Sequence, residues 1–326
     1  MKKILCLLLA VITVFSFAAC GRQEADGFYK QWMSCIEDET LLKQVVIPGS
    51  HDAGTKGMFF LAETQGESVA AQLSKGVRYL DIRVSKKNDG SLVIFHGPIK
   101  GRKFQKVIDE ITSFIAANVT ETLILDFQHF DGNSQEDVAQ AIESNWGQYL
   151  ITKDKEKSDA EFFDALTLSS CRGKLLIFWG SDQGAERNWA FRRNNDAGTL
   201  SDTQLESYYD GDEHKKGSDH LIKYLSNYIE RYKEKDSGLF VLQGQLTAPK
   251  LLVSPKSLER KHGENMTRFV KALKDSPDLN YINIIMRDYI TKGAEKINSI
   301  LYLNAKKGNV KETAVENFLR LTQSAA

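Results

Sequence analysis

Short runs of consecutive apolar residues recur along this chain, and most are followed by a longer stretch with helical periodicity. The strand candidates are 44–48, 77–84, 92–95, 122–127, 174–180, 239–244 and 282–288. Several are apolar at successive positions rather than alternate ones, as a strand covered on both faces requires. Helical patterns occupy 104–117, 135–149, 160–168, 220–233, 266–273 and 294–303; in the first, Val107, Ile108, Ile111, Phe114 and Ile115 share one stripe. Strand–helix alternation over one long chain predicts a parallel sheet. At this length a closed barrel accommodates it best, giving a single-domain α/β fold of the irregular TIM (β/α)8 type. Seven strand candidates leave such a barrel irregular or incomplete. The stretch 181–218 breaks the rhythm: it is polar, rich in Asn, Asp and Gly, and reads as a long loop beside the face where barrel enzymes keep their active sites.

Residues 1–20 read as a leader. Lys2 and Lys3 precede an apolar run that closes on Ala18 and Ala19, too short for a comfortable membrane span. Cys20 follows at once, which is the lipoprotein cleavage pattern, with Cys20 as the lipid-carrying end of the mature chain; Phe17 departs from the usual Leu. The alternative is ordinary secretory cleavage, and either reading implies export. Residues 21–30 then form a polar tether and 31–326 the folded domain. Basic and acidic residues balance at 43 each, which argues against a nucleic-acid partner. A monomer is expected. Behind the leader only Cys35 and Cys171 accompany Cys20, enough for one disulfide but not for a framework, and no metal-type Cys/His spacing exists.

Four segments carry chemistry. Ile47-Pro48-Gly49-Ser50-His51-Asp52-Ala53-Gly54-Thr55 runs a strand into a glycine-rich turn that exposes a His-Asp pair. Val77 to Arg83, Val93 to Pro98 and Ile284 to Tyr289 likewise place Asp81 and Arg83, His96, and Asp288 at strand ends. In a parallel barrel those ends share one face. Singly, each has a bland reading: a hydrogen-bonded histidine, a helix-capping aspartate, a salt-bridged arginine. Together, two histidines, a cation and neighbouring carboxylates suit phosphodiester cleavage, which needs a base, an acid and a cation against the charge that builds on phosphate.

The segments IPGSHDAGT, GVRYLDIRV, VIFHGP, ETLILDFQHF and IIMRDYI resemble, in order, the motifs of the bacterial phosphatidylinositol-specific phospholipase C (X-domain) family. The resemblance implies an irregular TIM barrel in which the inositol 2-hydroxyl attacks phosphorus, releasing diacylglycerol and a cyclic inositol phosphate. It implies His51 as general base, oriented by Asp288, and His96 as general acid, assisted by Asp52. Arg83 matches the arginine that serves in place of calcium. Arg83 and Gln128 stand where the eukaryotic relatives place calcium ligands, so neither metal nor cofactor is expected, and Asp81 reads as a salt-bridge partner. A phospholipid at a membrane surface is the implied partner. His129, Gln128 and Trp179 are the substrate-binding candidates, Trp179 and Gly180 standing where bacterial members carry a basic residue. The inositol-holding Asp and Tyr have no evident counterpart, and LDFQHF and VLQGQLT are closer to X-domain-only proteins.

Other residues have two readings. His214, His220 and His262 read as solvated surface. The run Met58-Phe59-Phe60-Leu61, and Trp189 and Phe191 beside Arg192 and Arg193, either touch a lipid interface or pack under the barrel rim. Two alternatives to the enzyme remain open: a metal-dependent glycerophosphodiesterase on the same barrel, and a non-catalytic headgroup-binding lipoprotein.

Overall fold

The computed structural model describes residues 27–194, 203–250 and 252–323. The leader, Cys20 and residues 21–26 of the tether lie outside them. Ten strands form one sheet: β1 (Ile47–Ser50), β2 (Tyr79–Lys86), β3 (Leu92–His96), β4 (Ile99–Lys103), β5 (Leu123–Asp131), β6 (Leu175–Trp179), β7 (Ala190–Asn194), β8 (Leu205–Ser207), β9 (Leu239–Gln243) and β10 (Ile284–Arg287). Eight of them, β1, β2 and β5 to β10, run parallel and close into a barrel, because β1 pairs with both β10 and β2. Helices cover the outside, so β1, β6, β9 and β10 are buried at every residue, and β6 is apolar throughout. At the seam the backbones come close. A Cβ on Gly49 would lie 3.0 Å from the Tyr79 ring and 3.1 Å from Met286 Cα, so glycine is what lets β1 fit between its neighbours.

The helix Phe104–Ala117 buries the expected stripe. The pattern at 266–273 is the end of a longer helix, Pro255–Ala272, which begins with proline at its start and the Ser254 hydroxyl accepting from the Ser257 N–H.

Two expectations about strands need correcting. The run 92–95 is not a barrel strand: β3 pairs antiparallel with the outer part of β2 and turns back through β4, making a hairpin beyond the rim. The long loop 181–218 in fact holds two barrel strands, β7 and β8. They escape notice because they are short and carry polar groups inward, each met by a partner: Arg193 Nε lies 2.7 Å from Asp126 Oδ1, Asn194 donates to Glu206 at 3.0 Å, and Lys235 pairs with Glu206. Trp189 and Phe191 in this stretch are buried, so they pack and do not meet an interface. Cys35 and Cys171 are both free thiols, and no disulfide joins them. Among the described residues no helix is long and apolar enough to cross a membrane.

Candidate active site

The turn after β1 sets the centre. The His51 N–H donates to the Arg287 carbonyl at 3.2 Å, and the His51 carbonyl accepts from Gln65 Nε2 at 2.9 Å. Asp52 adopts a left-handed conformation, φ 45°, and its N–H donates to Asp81 Oδ2 at 3.2 Å. Aspartate tolerates that conformation better than most residues, and it turns both side chains into the barrel mouth.

His51 Nδ1 is 2.7 Å from Asp288 Oδ1, at the end of β10. The carboxylate accepts a hydrogen bond from Nδ1–H, which leaves Nε2 as the basic atom. Around Nε2 stand Arg83 Nη2 at 3.1 Å and Asp52 Oδ2 at 3.3 Å. Arg83 rises from β2 between two buried carboxylates, its Nε 2.7 Å from Asp52 Oδ1 and its Nη2 3.1 Å from Asp81 Oδ2. Gln128 is buried beside them and accepts weakly from Arg83 at 3.4 Å, while its amide donates to Asp126 at 3.2 Å.

His96 arrives differently from the other strand-end groups. It is the last residue of β3, so the antiparallel hairpin, not a barrel strand, carries it back over the mouth. Its Nδ1 donates to the Ala62 carbonyl at 2.9 Å, which leaves Nε2 facing the site, 3.7 Å from Asp52 Oδ2. The two imidazole centroids are 6.3 Å apart and nearly perpendicular.

Charge decides the protonation states. Burial alone would depress the His51 imidazolium, but Asp52 and Asp288 outweigh burial and raise it to about 9. Burial pushes Asp288 up, against the pull of the His51 N–H. Asp52 is driven up by burial too, yet Arg83 and the histidines bring it below its ordinary value. His51, Asp52 and Asp81 could offer a metal three ligand atoms within 4.8 Å of one another. Arg83 already touches both carboxylates, so a resident divalent ion would have to displace it.

A cavity of 340 Å³ opens between these groups, lined by His51, Arg83, His96, Gln128, His129 and Asp288 together with Arg193, Ser207, Tyr209 and Gln243. His129 is exposed at its edge. Trp179 does not join them, and its assignment as a substrate contact is corrected. Its indole is buried against Phe127, Phe130 and Trp189, donates to the Gln183 carbonyl at 2.8 Å, and borders only a neighbouring cavity. Arg193, Ser207, Tyr209 and Gln243 were missed as site residues. The first three sit within the stretch read as a loop, and Gln243 ends an apolar run in which one polar residue carries no signal.

His214 is also corrected: it is buried, with Nδ1 2.7 Å from the Asp210 carbonyl and Nε2 3.2 Å from the Gln243 carbonyl, and it ties the segment after β8 to the end of β9. His220 is exposed as expected, whereas His262 is partly buried against Ser218 Oγ at 3.2 Å. In the run after β1, Met58 is buried and Leu61 lines the cavity, while Phe59 and Phe60 are 55% and 52% exposed.

Comparison with known proteins bears on the family and the fold. Residues 40–180 match the model of the phosphatidylinositol-specific phospholipase C X domain. The chain is 33% identical over 159 residues to the 1-phosphatidylinositol phosphodiesterase of Listeria monocytogenes, 45% of this chain and 48% of that one. It is 25% identical over 311 residues to the mouse PI-PLC X domain-containing protein 3, covering 90% and 89%. Matches to the first of these curated relatives span about half of their length. The solved phosphatidylinositol-specific phospholipase C of L. monocytogenes superposes with a TM-score of 0.67 at 23% identity, covering 85% of this chain and 98% of that one.

Proposed function

Because this chain belongs to the phosphatidylinositol-specific phospholipase C X-domain family, we propose that it cleaves the phosphodiester of phosphatidylinositol or a related glycophospholipid. The observation that carries the reading is the placement of Arg83 against the basic atom of His51, with His96 across the same cavity. His51 Nε2 takes the proton of a headgroup hydroxyl, and that oxygen attacks the phosphorus. The Arg83 guanidinium faces the phosphate oxygens where negative charge accumulates, as a fixed cation in a water-poor site. His96 Nε2 gives its proton to the leaving diacylglycerol oxygen. The products are diacylglycerol and a cyclic phosphate, and the two histidines return to their starting states by exchange with water.

In this reading Arg83 does the work of a metal and no cofactor is needed. The cluster of His51, Asp52 and Asp81 supports a second reading, a metal-dependent phosphodiesterase. Divalent-ion titration separates the two, since a chelator abolishes activity only in the second. The substrate is proposed to be met at a membrane by a monomer, exported and anchored through Cys20. Cys20→Ala with lipid labelling tests the anchor.

The deciding experiment is turnover against a panel of phospholipids, with the phosphate products identified by ³¹P NMR. Removing either histidine is expected to cost on the order of 10²–10⁴ in rate. Undiminished activity in His51→Ala, or a product that never passes through a cyclic phosphate, overturns the mechanism.

A further inference from the structure

A second, larger cavity of 590 Å³ lies beside the catalytic one, and the two share Leu246 and Thr247 as a common wall. Its sides come from the segments that follow β8 and β9 and from the first turns of the helix Pro255–Ala272. It therefore opens on the same face of the barrel as the catalytic cavity.

Its lining is divided by chemistry. Lys215, Lys216, Arg260 and Lys261 contribute four cations, and no carboxylate lines it. Lys215 and Lys216 are paired with Asp212 and Glu213, but Arg260 and Lys261 form no ion pair among the described residues. Like charges gathered in a concavity repel one another and focus a positive field into it. The remaining walls include the apolar side chains of Leu246, Pro249, Val253 and Leu258, and Leu252, 71% exposed, stands on the same loop. A bare inorganic anion uses only the cationic half of such a groove. An amphiphile with an anionic head uses both.

We propose that this groove is a non-catalytic site for the phosphate headgroup of an anionic phospholipid, held beside the lipid that occupies the catalytic cavity. None of its cations belongs to the His51–Arg83–His96 cluster, so the proposal stands or falls on binding and is independent of turnover.

The test is partition of the full chain onto phosphatidylcholine vesicles with and without phosphatidylglycerol, at constant ionic strength. The unaltered protein is expected to prefer the anionic vesicles by on the order of tenfold or more. In R260E/K261E that preference disappears while the thermal midpoint holds. The control is K174E/K306E, an equal charge change where Lys174 precedes β6 and Lys306 ends the helix Ala294–Lys306, at the far end of the barrel; it keeps the preference. Three results overturn the site: R260E/K261E binds like the unaltered protein; the control loses as much, which makes the attraction diffuse; or inorganic phosphate shifts the His262 NMR signals in the unaltered protein only, with vesicle binding unaffected by R260E/K261E, which makes the groove a soluble-anion site.

Discussion

His51 Nδ1 and Asp288 Oδ1 stand 2.7 Å apart although 237 positions separate them in sequence. The contact exists because the barrel closes β10 directly onto β1. Asp288 fixes which nitrogen of His51 is basic and, with Asp52, overcomes the penalty of burial to raise the imidazolium to about 9. A base so supported is strong but arrives protonated at neutral pH. The kcat/KM of the unaltered protein is therefore expected to rise with pH as His51 loses its proton near 9. In Asp288→Asn one of the two supporting carboxylates is gone. The rising limb moves to lower pH, and the plateau falls by on the order of 10². A limb that stays in place would detach Asp288 from the base.

The same shift couples stability to pH. The folded value lies above the roughly 6.5 of a free imidazole, so the contribution is complete below about 6.5 and is lost as pH climbs through about 9. Its size is about 3 kcal/mol. Urea unfolding at about pH 6 and about pH 10 should show the unaltered protein losing this amount relative to His51→Gln. Parallel stability profiles for the two proteins contradict the charged pairing.

Much of this site was legible in the chain because His51, Arg83 and Asp288 follow apolar runs that could only be buried strands. What periodicity could not supply was the direction of pairing. An apolar run reads the same in a barrel strand and in the hairpin β3, so His96 was expected at the right face for the wrong reason. The strands β7 and β8 were invisible for another cause. Arg193 and Glu206 make them look like loop, and the partners that permit their burial, Asp126 and Lys235, come from distant parts of the chain. His214 reads as solvated for a similar reason: its neighbours in sequence are polar, but its ring lies against Tyr209, centroids 4.6 Å apart, with both nitrogens facing carbonyls.

Arg83 is expected to resist even a conservative exchange. Its guanidinium spans two carboxylates and reaches His51 at once, through Nε and Nη2. A lysine ammonium is a single point charge and cannot hold that geometry. Arg83→Lys should lower kcat by on the order of 10²–10³, the usual loss when a preorganised charge is misplaced. Calcium should not rescue it, and a chelator should leave the unaltered protein's rate unchanged. Inhibition of the unaltered protein by a chelator would favour the metal-dependent reading.

Gly54 links the first motif to His96. A Cβ added there would lie 2.8 Å from Ile94 Cγ1, closer than real side chains approach. Ile94 is buried on β3, two residues before His96, so the hairpin has to shift outward to make room. Overpacking of this kind costs about 1–3 kcal/mol. The larger effect should be catalytic, because the shift moves the His96 Nε2 relative to Arg83 on β2 and to His51 and Asp288, which directly follow β1 and β10. In Gly54→Ala we expect kcat to fall by about tenfold or more, as small displacements of reacting groups do, with KM changed little. The loss should be smaller for a substrate analogue whose leaving group is already acidic, since such a group needs no proton from His96. Equal losses on both substrates would mean that the substitution acts through general destabilisation and not through the position of the acid.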